Sequence, residues 1–292
     1  MTTAQTVRLS IGAVCIALGA VLFWNLESAV RAVQILRGGQ HLAHAGVPKV
    51  VESIFLRLSV EQVAVPRSRP GAGGGLARFH DNLIAMPHDG TMFLIRDGEA
   101  VKLDITVPRN GLAALKSRAS SEAYADFQFN FGWMRYNDLL HVKEADQQAL
   151  VLSYTEWNDS RKCYATAVAE LALDPHVRDP RDIRAVAQDW KVIYRTRPCL
   201  PLKTKYRAIE GHMAGGRLAH YRGRHVMLSS GDYALDGVYG TERIAQNPDA
   251  EYGGVVEIDL DTGVADVLTR GQSNMQGITV DAEDRVWTVE HG

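Results

Sequence analysis

Two stretches carry residues whose types and spacing could do chemistry. The closing segment, Gly271 to Gly292, reads GQSNMQGITVDAEDRVWTVEHG and opens with Gln272, Ser273, Asn274 and Gln276. Carboxamides on a fixed loop can hold a flat polar ligand through paired donors and acceptors; the plainer alternative is a solvated loop of a β-fold. The segment runs on to Glu290-His291-Gly292. The second stretch is Gly211-His212-Met213-Ala214-Gly215-Gly216-Arg217-Leu218. Its glycines let the backbone bend closely around a ligand. A histidine on such a loop can take a proton near neutral pH; the alternative is a turn histidine bonded to its own backbone. The other histidines form no HExxH motif and no close Cys/His cluster, so the spacing does not support a zinc site.

The elements that must position these residues are strands. In the closing segment, Ile278 and Val280, a turn at Asp281–Asp284, then Val286, Trp287 and Val289 read as strand, tight turn and strand. From Leu76 onward, short apolar runs alternate with turn signals such as Asp89-Gly90 and Asp97-Gly98, which mark antiparallel hairpins. A second unit spans about Asp138 to Leu173, a third opens at Trp190 with WKVIYRT, a fourth opens just after Gly216, and the closing segment is the fifth. Recurrence of this kind suits an all-β fold, a β-propeller of four-stranded blades, with a β-sandwich as the alternative. The segments around 111–125 and 185–190 read as short helical or irregular insertions. No crossover helices of useful length separate the strands, which argues against a parallel α/β sheet.

Before the blades, residues Leu9 to Leu26 form an almost uninterrupted apolar run, LSIGAVCIALGAVLFWNL. It is close to the minimum of about 18 residues that cross a bilayer. The expectation is an N-terminal transmembrane helix at 1–26, then a helical neck and linker at 27–75, then incomplete blades at 76–292. A cleaved signal peptide competes with the anchor. The anchor reading puts the chain in the inner membrane as a single-pass protein with its bulk in the periplasm. Disulfides persist there; Cys15 falls within the anchor, so Cys163 and Cys199 are the available pair, and a bridge between them is expected. Net charge is -2, with no long basic run, so nucleic acid is not an expected partner.

Four segments occurring in order, GHMAGGRL, LSSGD, AQNPDAEYGGVVEIDLDTG and SNMQGITVDAEDRVWTVEHG, resemble the soluble pyrroloquinoline quinone (PQQ)-dependent glucose and aldose sugar dehydrogenases, the glucose/sorbosone dehydrogenase family. The resemblance is good over about Thr196 to Gly292, faint between Leu76 and Glu170, and absent before that. It implies a six-bladed propeller with the cofactor over its central mouth and a sugar or related polyol as substrate. It makes His212 the base that takes the hydroxyl proton at sugar C1 while hydride passes to PQQ. Asn274 and Gln276 match residues that hold PQQ, and Gly292 matches a residue that offers its carbonyl to calcium. Ser273 stands where the family has arginine, a loss of about 1.5–3 kcal/mol for a charge-assisted bond. The family pattern continues beyond Gly292 into a proline and further blades, so an incomplete propeller is expected. Two other functions are weighed against this: a propeller that keeps the frame as a non-catalytic binding module, and a calcium-dependent hydrolase of the lactonase type.

Overall fold

The computed structural model describes residues 49–52, 56–60, 63–67, 73–120, 131–202, 211–238 and 243–291. The chain divides into two units, Met1–Ala64 and Val65–Gly292. In the first, β1 (Lys49–Glu52) and β2 (Arg57–Val60) form an antiparallel hairpin, so the expected helical neck is already extended at Lys49.

The second unit is a succession of antiparallel sheets. The first is β3 (Gly74–Phe79), β4 (Asn82–Pro87), β5 (Phe93–Arg96) and β6 (Glu99–Lys102), paired in chain order. Asp97 and Gly98 both adopt positive φ, 53° and 77°, between β5 and β6. That is the turn whose backbone twist matches a two-residue hairpin, and Asp-Gly supplies it at low cost. The second sheet is β7 (Tyr136–Glu144), β8 (Gln147–Asn158), β9 (Cys163–Leu173) and β10 (Lys191–Arg195), with β11 (Leu200–Pro201) also on β9. The third is β12 (Gly215–His220), β13 (His225–Ser230), β14 (Gly254–Asp259) and β15 (Ala265–Val267). The closing hairpin is β16 (Met275–Val280) and β17 (Val286–Glu290). Four-stranded sheets laid down in chain order are the unit from which propellers are built.

The second sheet is buried on both faces. Leu150, Leu152 and Tyr154 of β8 pack with Ile84, Met86 and Leu94 of the first sheet. Val151 of β8 and Val168 of β9 pack with Val226, Leu228 and Val256 of the third. Each such side chain contributes about 1.5–3 kcal/mol on burial. A strand covered on both sides has no solvent face, which is why ALVL, residues 149–152, reads as a continuous apolar run.

Two expectations need correction. The expected fold class joined the blades to an N-terminal transmembrane helix. Among the described residues no helix is long and apolar enough to cross a membrane, and the one α-helix there is α1 (Leu112–Ala119), of eight residues. The Leu9–Leu26 run lies outside the described residues. The segment WKVIYRT does not open a new unit: β10 pairs with β9 and completes the second sheet. By contrast, α1 and a 3-10 turn at Ala187–Asp189 lie within the expected insertions, and Cys163 is bonded to Cys199, with Cα atoms 5.6 Å apart.

Candidate functional site

The first strands of successive sheets lie against one another, and glycines permit it. A Cβ on Gly75 of β3 would stand 2.3 Å from the Leu139 backbone nitrogen of β7, and one on Gly216 of β12 would stand 2.6 Å from the Asn137 side chain. Arg217 binds these strands together. Its Nη1 donates to the carbonyls of Gly74 (2.7 Å) and Asn137 (3.1 Å), and its Nε to that of Gln276 (3.2 Å). Asp138 lies 3.6 Å from the same guanidinium and accepts the Leu218 N–H at 2.9 Å. Burial nevertheless pushes the Asp138 carboxyl above its ordinary value, against the pull of Arg217 and the Leu218 bond.

His212 enters this arrangement on the loop before β12 and is half-buried. Gly211 takes φ +85°, and a Cβ there would meet the Trp133 carbonyl at 3.2 Å, so the loop is seated on the short 3-10 turn Phe131–Trp133. The Trp133 and His212 rings are 6.3 Å apart between centroids, and the Arg135 guanidinium lies 4.9 Å from the Trp133 centroid. Burial first, then the charge of Arg217, lowers the Arg135 pKa.

A second loop, Gly231-Asp232-Tyr233, lies across the His212 loop. Gly231 N–H donates to Ala214 O (2.9 Å) and Tyr233 N–H to Met213 O (3.1 Å). Asp232 N–H donates to Ser273 O at 2.8 Å, which joins this loop to the closing segment. Asp232 is almost wholly buried. Burial pushes its carboxyl up to about 6; the Ala234 N–H and the Ser273 hydroxyl oppose this, while the charges of Asp236 and Glu290 add to it.

The closing segment is held in turn by Glu290, whose carboxylate accepts from the backbone N–H groups of Ser273 and Asn274. His291 N–H donates to Asn274 O at 3.1 Å. The Gln276 amide donates to Asn274 Oδ1 at 2.6 Å, so the two carboxamides form a linked pair. Asn274 is half-buried and Gln276 exposed, and their mutual bond uses Asn274 Oδ1 and Gln276 Nε2, leaving Asn274 Nδ2 as a donor and Gln276 Oε1 as an acceptor. Gly292 lies outside the described residues.

Of the residues singled out in the sequence, His212 and the Asn274–Gln276 pair therefore sit on segments connected through Asp232 and Tyr233. Arg217, Asp138 and Asp232 were missed. The signal for Asp232 was its place in LSSGD, a glycine-aspartate pair closing an apolar strand; nothing in the sequence marked Asp138.

This architecture defines a class: consecutive antiparallel sheets of four or five strands whose first strands lie against one another, with polar loops joined beside them. The model of the glucose/sorbosone dehydrogenase family matches residues 137–292, more than half of the chain, and the chain belongs to that family. Two solved structures named glucose dehydrogenase are similar in fold, each with 19% identity and a TM-score of 0.52 over 75% of this chain. The chain covers 61% of one and 57% of the other, so it spans less than two thirds of either. No curated protein sequence matches it.

Proposed function

We propose that the chain carries the base and the carboxamide holders of a PQQ site in a sugar dehydrogenase. Family membership supports an oxidoreductase acting on a sugar or related polyol. The observation that carries the reading is the backbone path from the His212 loop through Tyr233 and Asp232 to Ser273 and Asn274. Through it, a base and a carboxamide pair from segments about sixty residues apart in sequence are held on joined loops.

The donor set suits a planar, acidic, carbonyl-rich cofactor. Asn274 and Gln276 would hold its edge through their amide groups, and Arg135, in the bend just before β7, is the cation placed to balance a carboxylate. PQQ, when bound, supplies the hydride-accepting quinone, and calcium polarises it; the segment Glu290-His291-Gly292 is the proposed carbonyl source for that ion. In the reaction His212 takes the hydroxyl proton at sugar C1, with Trp133 beside the imidazole as a partly apolar wall. Glu290 positions the Asn274 loop by holding its backbone N–H groups. The Cys163–Cys199 bond supports an oxidising compartment such as the periplasm.

The test is dye reduction by the full-length polypeptide loaded with PQQ and calcium, with aldoses as substrates. Reduction that survives His212→Asn unchanged contradicts the reading. A second reading, a binding module without cofactor, is favoured by one observation: the Ser273 hydroxyl serves the Asp232 carboxylate, and no cation stands at that position. It is distinguished by calorimetry, where it gives no heat with PQQ and calcium.

A further inference from the structure

A second cluster of donor atoms lies apart from the His212 loops, between the first and second sheets. His80, in the β3–β4 turn, and His141, on β7, both direct Nε2 at one atom, Oε1 of Gln148 at the start of β8. The distances are 3.1 Å and 3.2 Å. The two imidazole centroids are 5.1 Å apart at 62°. Gln148 is 2% exposed, and its amide nitrogen donates to the carbonyls of Asp174 and Val177, so its oxygen is fixed toward the histidines. Turning the amide over would set its oxygen against two carbonyl oxygens.

His141 has a further partner, the backbone of Arg78. With Nε2 at Gln148, the proton that bond requires is on Nδ1, donated to the Arg78 carbonyl. In a neutral ring of that tautomer Nε2 carries a lone pair, and either a proton or a metal ion can bridge it to the Gln148 oxygen. A ring N–H donated to a backbone carbonyl is also how metal-bound imidazoles are oriented.

We propose that His80 Nε2, His141 Nε2 and Gln148 Oε1 form a binding site for a borderline divalent metal ion of the zinc class. In a tetrahedral zinc site, with bonds of about 2.0–2.2 Å, neighbouring donor atoms lie roughly 3.3 Å apart. The two measured separations approach that spacing before any ion draws the groups together. Two imidazoles and one neutral oxygen suit zinc, cobalt, nickel or copper, and do not suit calcium, which takes six to eight oxygens. Phe79 walls one side, with its ring 4.8 Å and 4.4 Å from those of His80 and His141. Both histidines are only half-buried, so a water can take the fourth position. The ion would pin the first sheet to the second, a structural role independent of the sugar reaction. Sequence spacing hides the site, because His80 and His141 are far apart in the chain and the third donor is a glutamine.

The test is isothermal titration of the full chain, with no PQQ or calcium present, by zinc chloride, and of Co2+ followed by its visible absorption. One ion per chain is expected, with a zinc-dependent rise in melting temperature and binding that fades as pH falls through the imidazole range. His80→Asn keeps a residue that tolerates the left-handed turn at φ 54°; His141→Gln keeps a polar group on β7. Each is expected to weaken binding at least about tenfold, because loss of an outer partner alone costs about 10–100-fold. Absence of stoichiometric zinc binding by the unaltered chain overturns the proposal. So does affinity that both variants retain, which would put the ion on other histidines.

Discussion

Replacing Asp232 with asparagine should stabilise the protein at neutral pH and have little effect in mild acid. The carboxyl is nearly fully buried, and burial raises it from 3.8 to about 6. Its folded value exceeds its unfolded one, so the native state holds the proton more tightly. The stability linked to that proton is present below pH 3.8 and is lost as pH rises through about 6. At pH 7.5 the buried charge costs about 3 kcal/mol relative to a neutral isostere, and at pH 4.5 only about 1 kcal/mol. Asparagine keeps an oxygen for the Ala234 N–H and the Ser273 hydroxyl, so the charge is the main change. Urea denaturation of both proteins at the two pH values gives the difference directly, and the other carboxylates cancel in it. A difference that is the same at both pH values, or that favours the aspartate at pH 7.5, refutes the reasoning.

Three further outcomes follow from the packing. Opening the Cys163–Cys199 bridge, by Cys199→Ser or by reductant, releases a loop with ends 36 residues apart and should cost about 3–4 kcal/mol in denaturant; a cost below about 1 kcal/mol would mean the bridge contributes little. Gly231→Ala would place a methyl 1.9 Å from the Met213 carbonyl oxygen, so it should cost about 3 kcal/mol and shift the His212 imidazole signals in NMR; unchanged signals would contradict the contact. Arg217→Ala removes donors to three carbonyls and leaves the half-buried Asp138 without its guanidinium, so a loss of about 1–3 kcal/mol is expected on thermal or chemical unfolding.

Local chemistry was legible wherever one segment carried its own signal. The Asp97-Gly98 turn, the β16–β17 hairpin and the helical insertion at α1 all follow from neighbouring residues. Pairing between distant segments was harder to read. WKVIYRT looked like an opening strand because an insertion of 16 residues, 174–189, separates it from β9, its partner. The apolar run at Leu9–Leu26 suggested a membrane span from hydropathy alone, and no helix among the described residues supports one. In the site, His212, Asn274 and Gln276 stood out because glycines and clustered carboxamides mark loops. Asp232 and Arg217 did not, because their importance lies in burial and in bonds to other strands. The His80–His141–Gln148 cluster was illegible for the same reason: its geometry exists only once β3, β7 and β8 lie side by side.

The central claim is that His212 and the Asn274–Gln276 pair serve one bound molecule in different ways. Calorimetric titration of PQQ with calcium into the full-length protein, paired with dye reduction on the same samples, tests it most directly. The account expects His212→Asn to bind PQQ as the unaltered protein does while losing nearly all sugar-dependent reduction, and Asn274→Ala to weaken PQQ binding at least about tenfold, the loss of roughly one charge-independent hydrogen bond to a buried ligand. PQQ binding that neither Asn274→Ala nor Gln276→Ala disturbs, or reduction that does not need His212, would contradict it.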